Sequence, residues 1–453
     1  MRRLFGTDGV RGIANENLDT ELAMRIGKAL GTVLSEGQRV RPRVLIGIDT
    51  RISSEMLVSA ISAGLCSSGC DTMLLGVVTT PAVAYLVKKK GARAGVMISA
   101  SHNSFEFNGI KIFGEDGFKL SDELEELIES IVLDNSPPPR VASPREIGTS
   151  SYDAELKDEY AEYLKGAFGK SLSGLRVGID CAQGSAYAFA EDVFTSLGAE
   201  CHILSDTPDG ININDGCGST HLSALKELVV REGLDVGVAF DGDADRCLAV
   251  DEGGREVDGD FIMAILALSL KDKGKLAKNT VVGTVMTNLG FIRFCKAWDI
   301  NYISAKVGDR YVLELLNQEG YSFGGEQSGH IIFRDLATTG DGILTAIALL
   351  SHIKESGKSL STLSAVMKKY PQYTLNLPAD SGDKTTFLVD SEIKREILRA
   401  EEEIGDGRLV IRPSGTEPLI RIMAEGEDSE LIKKICKDLS EKIKERIDEL
   451  KKA

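Results

Sequence analysis

Short apolar runs alternate with helical stretches through most of this chain, and that alternation leaves few folds open. VLIGID at 44–49, DTMLLGVV at 71–78 and ARAGVMISA at 92–100 read as buried parallel strands. Between them, 54–69 and 81–91 carry helical patterns that end at glycine. The pattern returns at 175–181, 199–206 and 234–241, with helices expected over 184–197 and 221–232. A third stretch has a helix at 261–274, a strand at 280–287 and a loop at 307–312. Alternation of this kind marks βαβ units and largely parallel sheets. The last stretch differs. Two strand-like segments, YTLNLPAD and GRLVIRPSGTEPLIRIMAEG, precede a long charged helix, as in a small α+β domain.

The clearest boundary is NSPPPRVASP at 135–144, where three consecutive prolines exclude both a helix and a central strand. An acidic amphipathic helix at 121–133 precedes it, with Leu124, Leu127, Ile128 and Ile131 on one face. The 453 residues accommodate three or four domains. We place them at 1–150, 151–252, 253–367 and 368–453. The expected fold class is α/β, the first three domains sharing a mixed α/β sheet topology and the fourth a small α+β domain.

A formal net charge of -16 argues against nucleic acid and against anionic membrane surfaces as partners. It leaves room for phosphorylated small molecules, which local basic loops can hold. No apolar run reaches the roughly 18 residues of a membrane span. MRRLFGTDGV lacks the apolar stretch of a secretory signal. The eight cysteines form no CxxC pair, as expected for reduced thiols in the cytoplasm.

Four loops carry chemistry. In the first, Ser101-His102-Asn103 follows a strand directly, and Lys111 lies shortly beyond. Open α/β sheets place ligands at such carboxyl ends, and a serine there can be an exposed nucleophile. In the second, Asp241, Asp243 and Asp245 alternate with glycine and alanine, and Arg246 follows. Carboxylates at spacing two project to one side of an extended segment, and their repulsion is relieved by a divalent cation. An all-oxygen set favours Mg²⁺ over zinc, and the apolar CLAV run rules out an EF-hand loop. In the third, GGEQSGH at 324–330 offers the carboxylate, amide, hydroxyl and imidazole of Glu326, Gln327, Ser328 and His330, an inventory suited to sugar hydroxyls. In the fourth, Arg412, Ser414, Gly415 and Thr416, with Arg421 beyond, can form an anion nest without a Walker GK[ST]. None of these loops is decisive alone, and each has an ordinary turn as its alternative. One falls in each expected domain, and a central cleft shared by all four domains is the simplest way to use them together.

In this order, SASHN with NGIK, DGDADR, GGEQSGH and RPSGTEP resemble the signature loops of the α-D-phosphohexomutase family. The likeness runs from FGTDGVRG at 5–12 to RIMAEG at 421–426. FGTDGVRG, the NINDGCGSTH segment at 212–221 and Gln327 are similar to the branch that works on amino-sugar phosphates. The branch acting on mannose and glucose phosphates usually has methionine at Gln327, and those substrates are the alternative. The resemblance implies that Ser101 is a phosphoserine and that Asp241, Asp243 and Asp245 hold Mg²⁺ with a phosphoserine oxygen. It implies Arg11, His102, Lys111, Arg246 and His330 around the reacting centre. Gly308, Arg310, Glu326, Gln327 and Ser328 would bind the sugar, and Arg412, Ser414, Gly415, Thr416 and Arg421 the phosphate that is not transferred. A hexose 1,6-bisphosphate would be intermediate and activator, with a phosphosugar as the partner of a monomer or homodimer. Two departures stand out: Ser104 replaces the usual proline after SASHN, and Gln183 replaces asparagine.

The implied chemistry moves a phosphoryl group from Ser101 to the sugar and recovers the other phosphate after the bisphosphate reorients. Lys111, His102 or His330 could move the proton. The segment 368–373 is expected to act as a hinge for the last domain. A non-catalytic phosphosugar sensor would have lost the serine or the aspartates, and both are present. A phosphatase with an aspartyl nucleophile would release inorganic phosphate and carry no phosphoserine.

Overall fold

In the computed structural model of this chain, residues 4–6, 8–37, 40–414 and 418–452 are described. They form two compact units, Met1–Thr284 with Ile303–Val366, and Val285–Tyr302 with Met367–Ala453.

The first sheet contains β1 (Val10–Ile13), β2 (Arg43–Ile48), β3 (Asp71–Val77), β4 (Ala94–Ile98), β5 (Phe107–Gly114) and β6 (Ser150–Tyr152), in the order β1-β5-β4-β2-β3-β6. The second contains β7 (Arg176–Asp180), β8 (Glu200–Leu204), β9 (Val236–Phe240), β10 (Cys247–Asp251) and β11 (Glu256–Val257), in the order β11-β10-β9-β7-β8. The third contains β12 (Thr280–Thr284), β13 (Asn301–Ala305), β14 (Phe323–Gly325) and β15 (Ile331–Phe333), in the order β13-β12-β14-β15.

One four-strand motif runs through all three, as β5-β4-β2-β3, β10-β9-β7-β8 and β15-β14-β12-β13. β4, β9 and β14 lie parallel to β2, β7 and β12. Each is then followed by an antiparallel neighbour, β5, β10 or β15. Parallel partners need a crossover, which helices supply, whereas the antiparallel partner needs only a short loop. The chain therefore makes a tight hairpin at the carboxyl end of β4, β9 and β14. The Ser101, aspartate and Glu326 loops are these three equivalent hairpins.

Strands β2, β4 and β9 are apolar on both faces because helices cover both. The helices Thr20–Ser35 and Ser54–Ser67 close on each other at Gly27 and Gly64. A Cβ on Gly27 would stand 2.3 Å from the Ile61 carbonyl, and one on Gly64 2.2 Å from that of Met24. The helix Asp122–Asp134 buries Ile128, Ile131 and Val132, while Leu124 stays at the exposed rim. The helix expected over 184–197 is instead a 3₁₀ turn, Ser185–Ala188, and a short helix, Ala190–Ser196. The Ser185 amide donates to the Gly242 carbonyl at 2.8 Å, so tertiary contact with the aspartate loop overrides the local helical pattern. The strand expected over 280–287 ends at Thr284.

The second unit holds an antiparallel sheet of β16 (Gln372–Pro378), β17 (Arg408–Pro413) and β18 (Leu419–Glu425), in the order β16-β18-β17. The helices Ser391–Ile404 and Ser429–Lys452 pack on it around Ile420, Ile422, Ile435, Leu439 and Ile443. Tyr370, within the expected hinge segment, is held inside this unit. Its amide donates to Asn288 Oδ1 and its carbonyl accepts from Asn288 Nδ2, both at 3.0 Å. All eight cysteines are free, and no helix of the described residues is long and apolar enough to cross a membrane.

Asp341 joins two layers of the first unit. It caps the helix Gly342–Ser356 by accepting the Leu344 amide at 2.9 Å, and the Tyr160 hydroxyl donates to its other oxygen at 2.6 Å. Burial pushes its pKa from 3.8 up to about 6. The folded state thus binds this proton more tightly than the unfolded chain. The associated stability is complete below the ordinary carboxyl value and is lost as pH rises through about 6. Asp341→Asn keeps the cap oxygen and removes the buried charge. It should be more stable than the parent at pH 7.5, by at most about 3 kcal/mol, with the advantage fading towards pH 4. Denaturant unfolding across that pH range measures this.

Candidate active site

Ser101 is 1 % exposed and has a left-handed backbone, φ 55°. Its Oγ donates to Asp241 Oδ2 at 2.6 Å and lies 3.4 Å from His102 Nδ1. Asp241, Asp243 and Asp245 are buried, and each offers one oxygen within 4.8 Å of the others. Burial, then Asp245 and Asp243, push the Asp241 carboxyl up to about 7. For Asp245, burial acts upward, but Lys111, His330 and Arg246 outweigh it and hold the group far below its ordinary range. Asp243 Oδ1 and Asp245 Oδ1 are buried without a hydrogen-bond partner among the described residues. Two orphaned carboxylate oxygens in an all-oxygen cluster fit a hard divalent cation.

Basic groups close around this cluster. Lys111 Nζ lies 2.7 Å from Asp243 Oδ2, 2.9 Å from Asp8 Oδ2 and 3.4 Å from Asp245 Oδ2. Burial alone would neutralise it, but these carboxylates hold its pKa well above the ordinary lysine value, so it stays an ammonium. Arg246 Nε stands 3.8 Å from Asp245 and 4.0 Å from Asp241. Arg11 pairs with Asp8. The His102 imidazole is pushed down to about 4 by burial, Arg246 and Arg11. His330 lies between Asp245, 3.6 Å away, and Asp309, 3.5 Å away, and these carboxylates overcome burial to raise it to about 9. Its Nε2 also accepts the Gly340 amide at 3.0 Å. That contact belongs to the neutral ring, with its proton on Nδ1 facing Asp245; protonation of Nε2 breaks it and leaves that nitrogen to Asp309 instead.

The sugar-loop residues lie in the same unit. The Glu326 amide donates to the His330 carbonyl, and its Oε1 accepts the Gly308 amide at 3.1 Å. Gln327 Nε2 donates to Asp258 Oδ2 at 3.3 Å, and Ser328 is partly exposed. The aspartate loop is sewn to its neighbours by backbone bonds. Thr80 N donates to Asp243 O, Cys247 N to Gly329 O and Gly342 N to Ala244 O, each at 3.0 Å. Arg310 is not brought to this cluster. It bonds Glu125 at 2.9 Å and the Leu120 carbonyl at 3.0 Å, and pairs with Asp122.

In the second unit, Arg412 and Arg421 are directly opposed across β17 and β18. They line a cavity of about 280 Å³ with Thr374, Asn376 and Met423. Burial and then Arg421 lower the Arg412 pKa, an environment that favours an anion. The Ser414 carbonyl accepts Lys384 Nζ at 2.7 Å. Gly415 and Thr416 lie outside the described residues.

Sequence reasoning gave no role to Asp8, Thr80, Lys119 or Asp309. Lys119 Nζ bridges Asp8 and Asp309 at 2.5 Å each, and the Thr80 hydroxyl bonds Asp243. Asp8 and Asp309 each lie in a segment quoted for other residues, FGTDGVRG and the 307–312 loop, which was the only available signal.

The four domain models of phosphoglucomutase/phosphomannomutase match residues 2–138, 158–254, 258–370 and 376–442. The chain belongs to this phosphohexomutase family, whose members are isomerases acting by phosphoryl transfer. Similar proteins include the phosphoglucosamine mutases of Clostridium tetani, 51 % identical, and Caldicellulosiruptor saccharolyticus, 53 % identical. These alignments cover 98 % and 99 % of this chain and all of each relative. Among solved structures, a phosphoglucomutase/phosphomannomutase family protein from Burkholderia thailandensis shares the fold with a TM-score of 0.81 at 22 % identity, covering 99 % of this chain and 98 % of that one. N-acetylphosphoglucosamine mutase from Aspergillus fumigatus, solved with GlcNAc-6P and magnesium, has a TM-score of 0.67 at 16 % identity, covering 97 % and 95 %.

Lys111 is the main counter-charge to two buried carboxylates. Lys111→Met should therefore destabilise the cation-free protein by about 3–5 kcal/mol, as losing one partner of a buried ion pair does. Urea unfolding in the presence of a chelator measures the loss, and a divalent cation should restore part of it.

Proposed function

We propose that this chain interconverts glucosamine 6-phosphate and glucosamine 1-phosphate, through a phosphoserine at Ser101 and glucosamine 1,6-bisphosphate. The observation that carries the reading is Ser101 Oγ, 2.6 Å from a buried aspartate in a cluster with two orphaned carboxylate oxygens. The amino sugar is favoured by the full-length likeness to phosphoglucosamine mutases.

Asp241, Asp243 and Asp245 would hold Mg²⁺, together with a phosphoserine oxygen, and the ion would offset charge on the transferring phosphoryl group. Lys111 and Arg246 stabilise the same charge from the protein side. In the forward direction the Oγ–P bond of Ser101 breaks as the sugar O1–P bond forms, and the O1 proton passes to a base. The bisphosphate then reorients. Ser101 Oγ takes the phosphoryl group from O6 as the O6–P bond breaks, and a proton returns to O6. His102 lies beside the reacting serine, and Lys111 and His330 border the aspartate cluster; one of these three is assigned to the proton movements, with Arg11 lining the reacting centre. Gly308, Glu326, Gln327 and Ser328 are assigned to the sugar. Arg412, Ser414, Gly415, Thr416 and Arg421 are assigned to the phosphate that stays in place. Domain limits near 150, 252 and 367 fit this division of labour. Eight free thiols suit a reducing cytoplasm.

Peptide mapping of purified protein should find phosphate on Ser101, and Ser101→Ala should abolish mutase turnover. Full turnover by that variant would overturn the reading. Glucosamine 6-phosphate should be converted with a kcat/KM at least about tenfold above that for glucose 1-phosphate or mannose 1-phosphate, a preference of about 1.4 kcal/mol.

A further inference from the structure

Building on the reading of Ser101 as the phosphoryl carrier, we propose that Arg51 and Asn214 are positioning residues that clamp the Ser101 loop in its reactive shape. The left-handed backbone at Ser101 is an unfavoured conformation for a serine and persists only where surroundings enforce it. The enforcement is visible. The carbonyls of Ser101, Asn103 and Ser104 turn inward onto a single guanidinium. Arg51 Nη2 donates to Ser101 O at 2.8 Å and to Asn103 O at 3.0 Å, and Nη1 donates to Ser104 O at 2.6 Å. Its Nε donates to Asp49 Oδ2 at 2.9 Å, and both side chains are fully buried.

From the second sheet's domain, Asn214 Nδ2 donates to the same Ser101 and Asn103 carbonyls, at 2.9 Å each. Asn214 is itself left-handed, φ 58°, and its amide donates to the carbonyl of Ala182, another left-handed residue. Gly242, beside Asp241, permits this convergence. A Cβ there would stand 2.6 Å from Ser101 O and 2.9 Å from Asn214 Nδ2. The clamp thus ties the backbone carrying the nucleophile to the loop carrying its aspartate partner. It also gives Ser104 a restraint in place of the ring that a proline would provide. Phosphoryl transfer depends on positioning, so a loosened loop loses rate before it loses substrate affinity.

The test compares Asn214→Ala, which removes two donors while leaving the Asp49–Arg51 pair intact, with Arg51→Lys, which keeps the charge but cannot fork across three carbonyls. The expected result for each is a kcat lower by about 10²-fold, with a matching fall in the single-turnover rate of Ser101 phosphorylation by glucose 1,6-bisphosphate. KM should change by no more than about twofold. The ³¹P resonance of phosphorylated Arg51→Lys should shift from that of the parent, a readout that stands if Asn214→Ala fails to fold. Parental kcat and phosphorylation rate in a folded variant, a loss confined to KM, or an unmoved ³¹P resonance would overturn the clamp. Ser101→Ala is run alongside. An inactive Ser101→Ala with an active Asn214→Ala sinks the clamp alone, whereas an active Ser101→Ala sinks the phosphoserine reading itself.

Discussion

Three carboxylates buried within 4.8 Å of one another cannot stand without compensating charge, and the first unit is arranged around that constraint. Lys111 comes from the first sheet, Arg246 from the aspartate loop itself and His330 from the third hairpin. Lys111 also touches Asp8, which Lys119 links to Asp309 and so back towards His330. The network spans all three sheets, so the position of each hairpin is set partly by the charge of the others. A phosphate on Ser101 would bring about −1.5 to −2 charges to this balance at neutral pH. A divalent cation arriving with it would leave the balance nearly unchanged.

The repeated strand order explains how one chain delivers several chemistries to one point. Each repeat makes its tight hairpin at the carboxyl end of its third strand, because only that connection needs no crossover helix. Packing three repeats together then requires little invention at the backbone level. The aspartate hairpin is tied to the third hairpin by the Cys247 amide and to two helix starts by those of Thr80 and Gly342, bonds that do not depend on the side chains presented. The side chains the three hairpins present differ: a hydroxyl, a carboxylate cluster and the carboxylate, amide, hydroxyl and imidazole of GGEQSGH.

What was legible in the sequence was what is contiguous. Ser101 with His102, the three aspartates and GGEQSGH each lie in one short run, and an apolar strand ahead of the first two announced their place in the sheet. Partners fixed only by tertiary contact were not legible. Nothing near Lys119 or Asp309 in sequence says that the two will pair with each other across 190 residues of chain. Arg51 follows the second strand by three residues, and only the folded chain turns it onto the Ser101 carbonyls. The broken helix at 185–196 failed for a related reason: its first amide is taken by Gly242. Arg310 shows the converse, since the sequence offers no sign that Glu125 and Asp122 will engage it.

A chain of net charge −16 that works on phosphates needs local groups of basic side chains where phosphate goes. In the first unit the basic side chains are already matched by carboxylates, so added anionic charge there needs a cation beside it. In the second unit, Arg412 and Arg421 face each other across two strands at a small cavity, and the Arg412 guanidinium is destabilised by burial and by its neighbour. An anion placed there relieves that repulsion without any metal. The two units thus differ in what they offer an anion: one takes added negative charge only with a cation beside it, the other takes it alone.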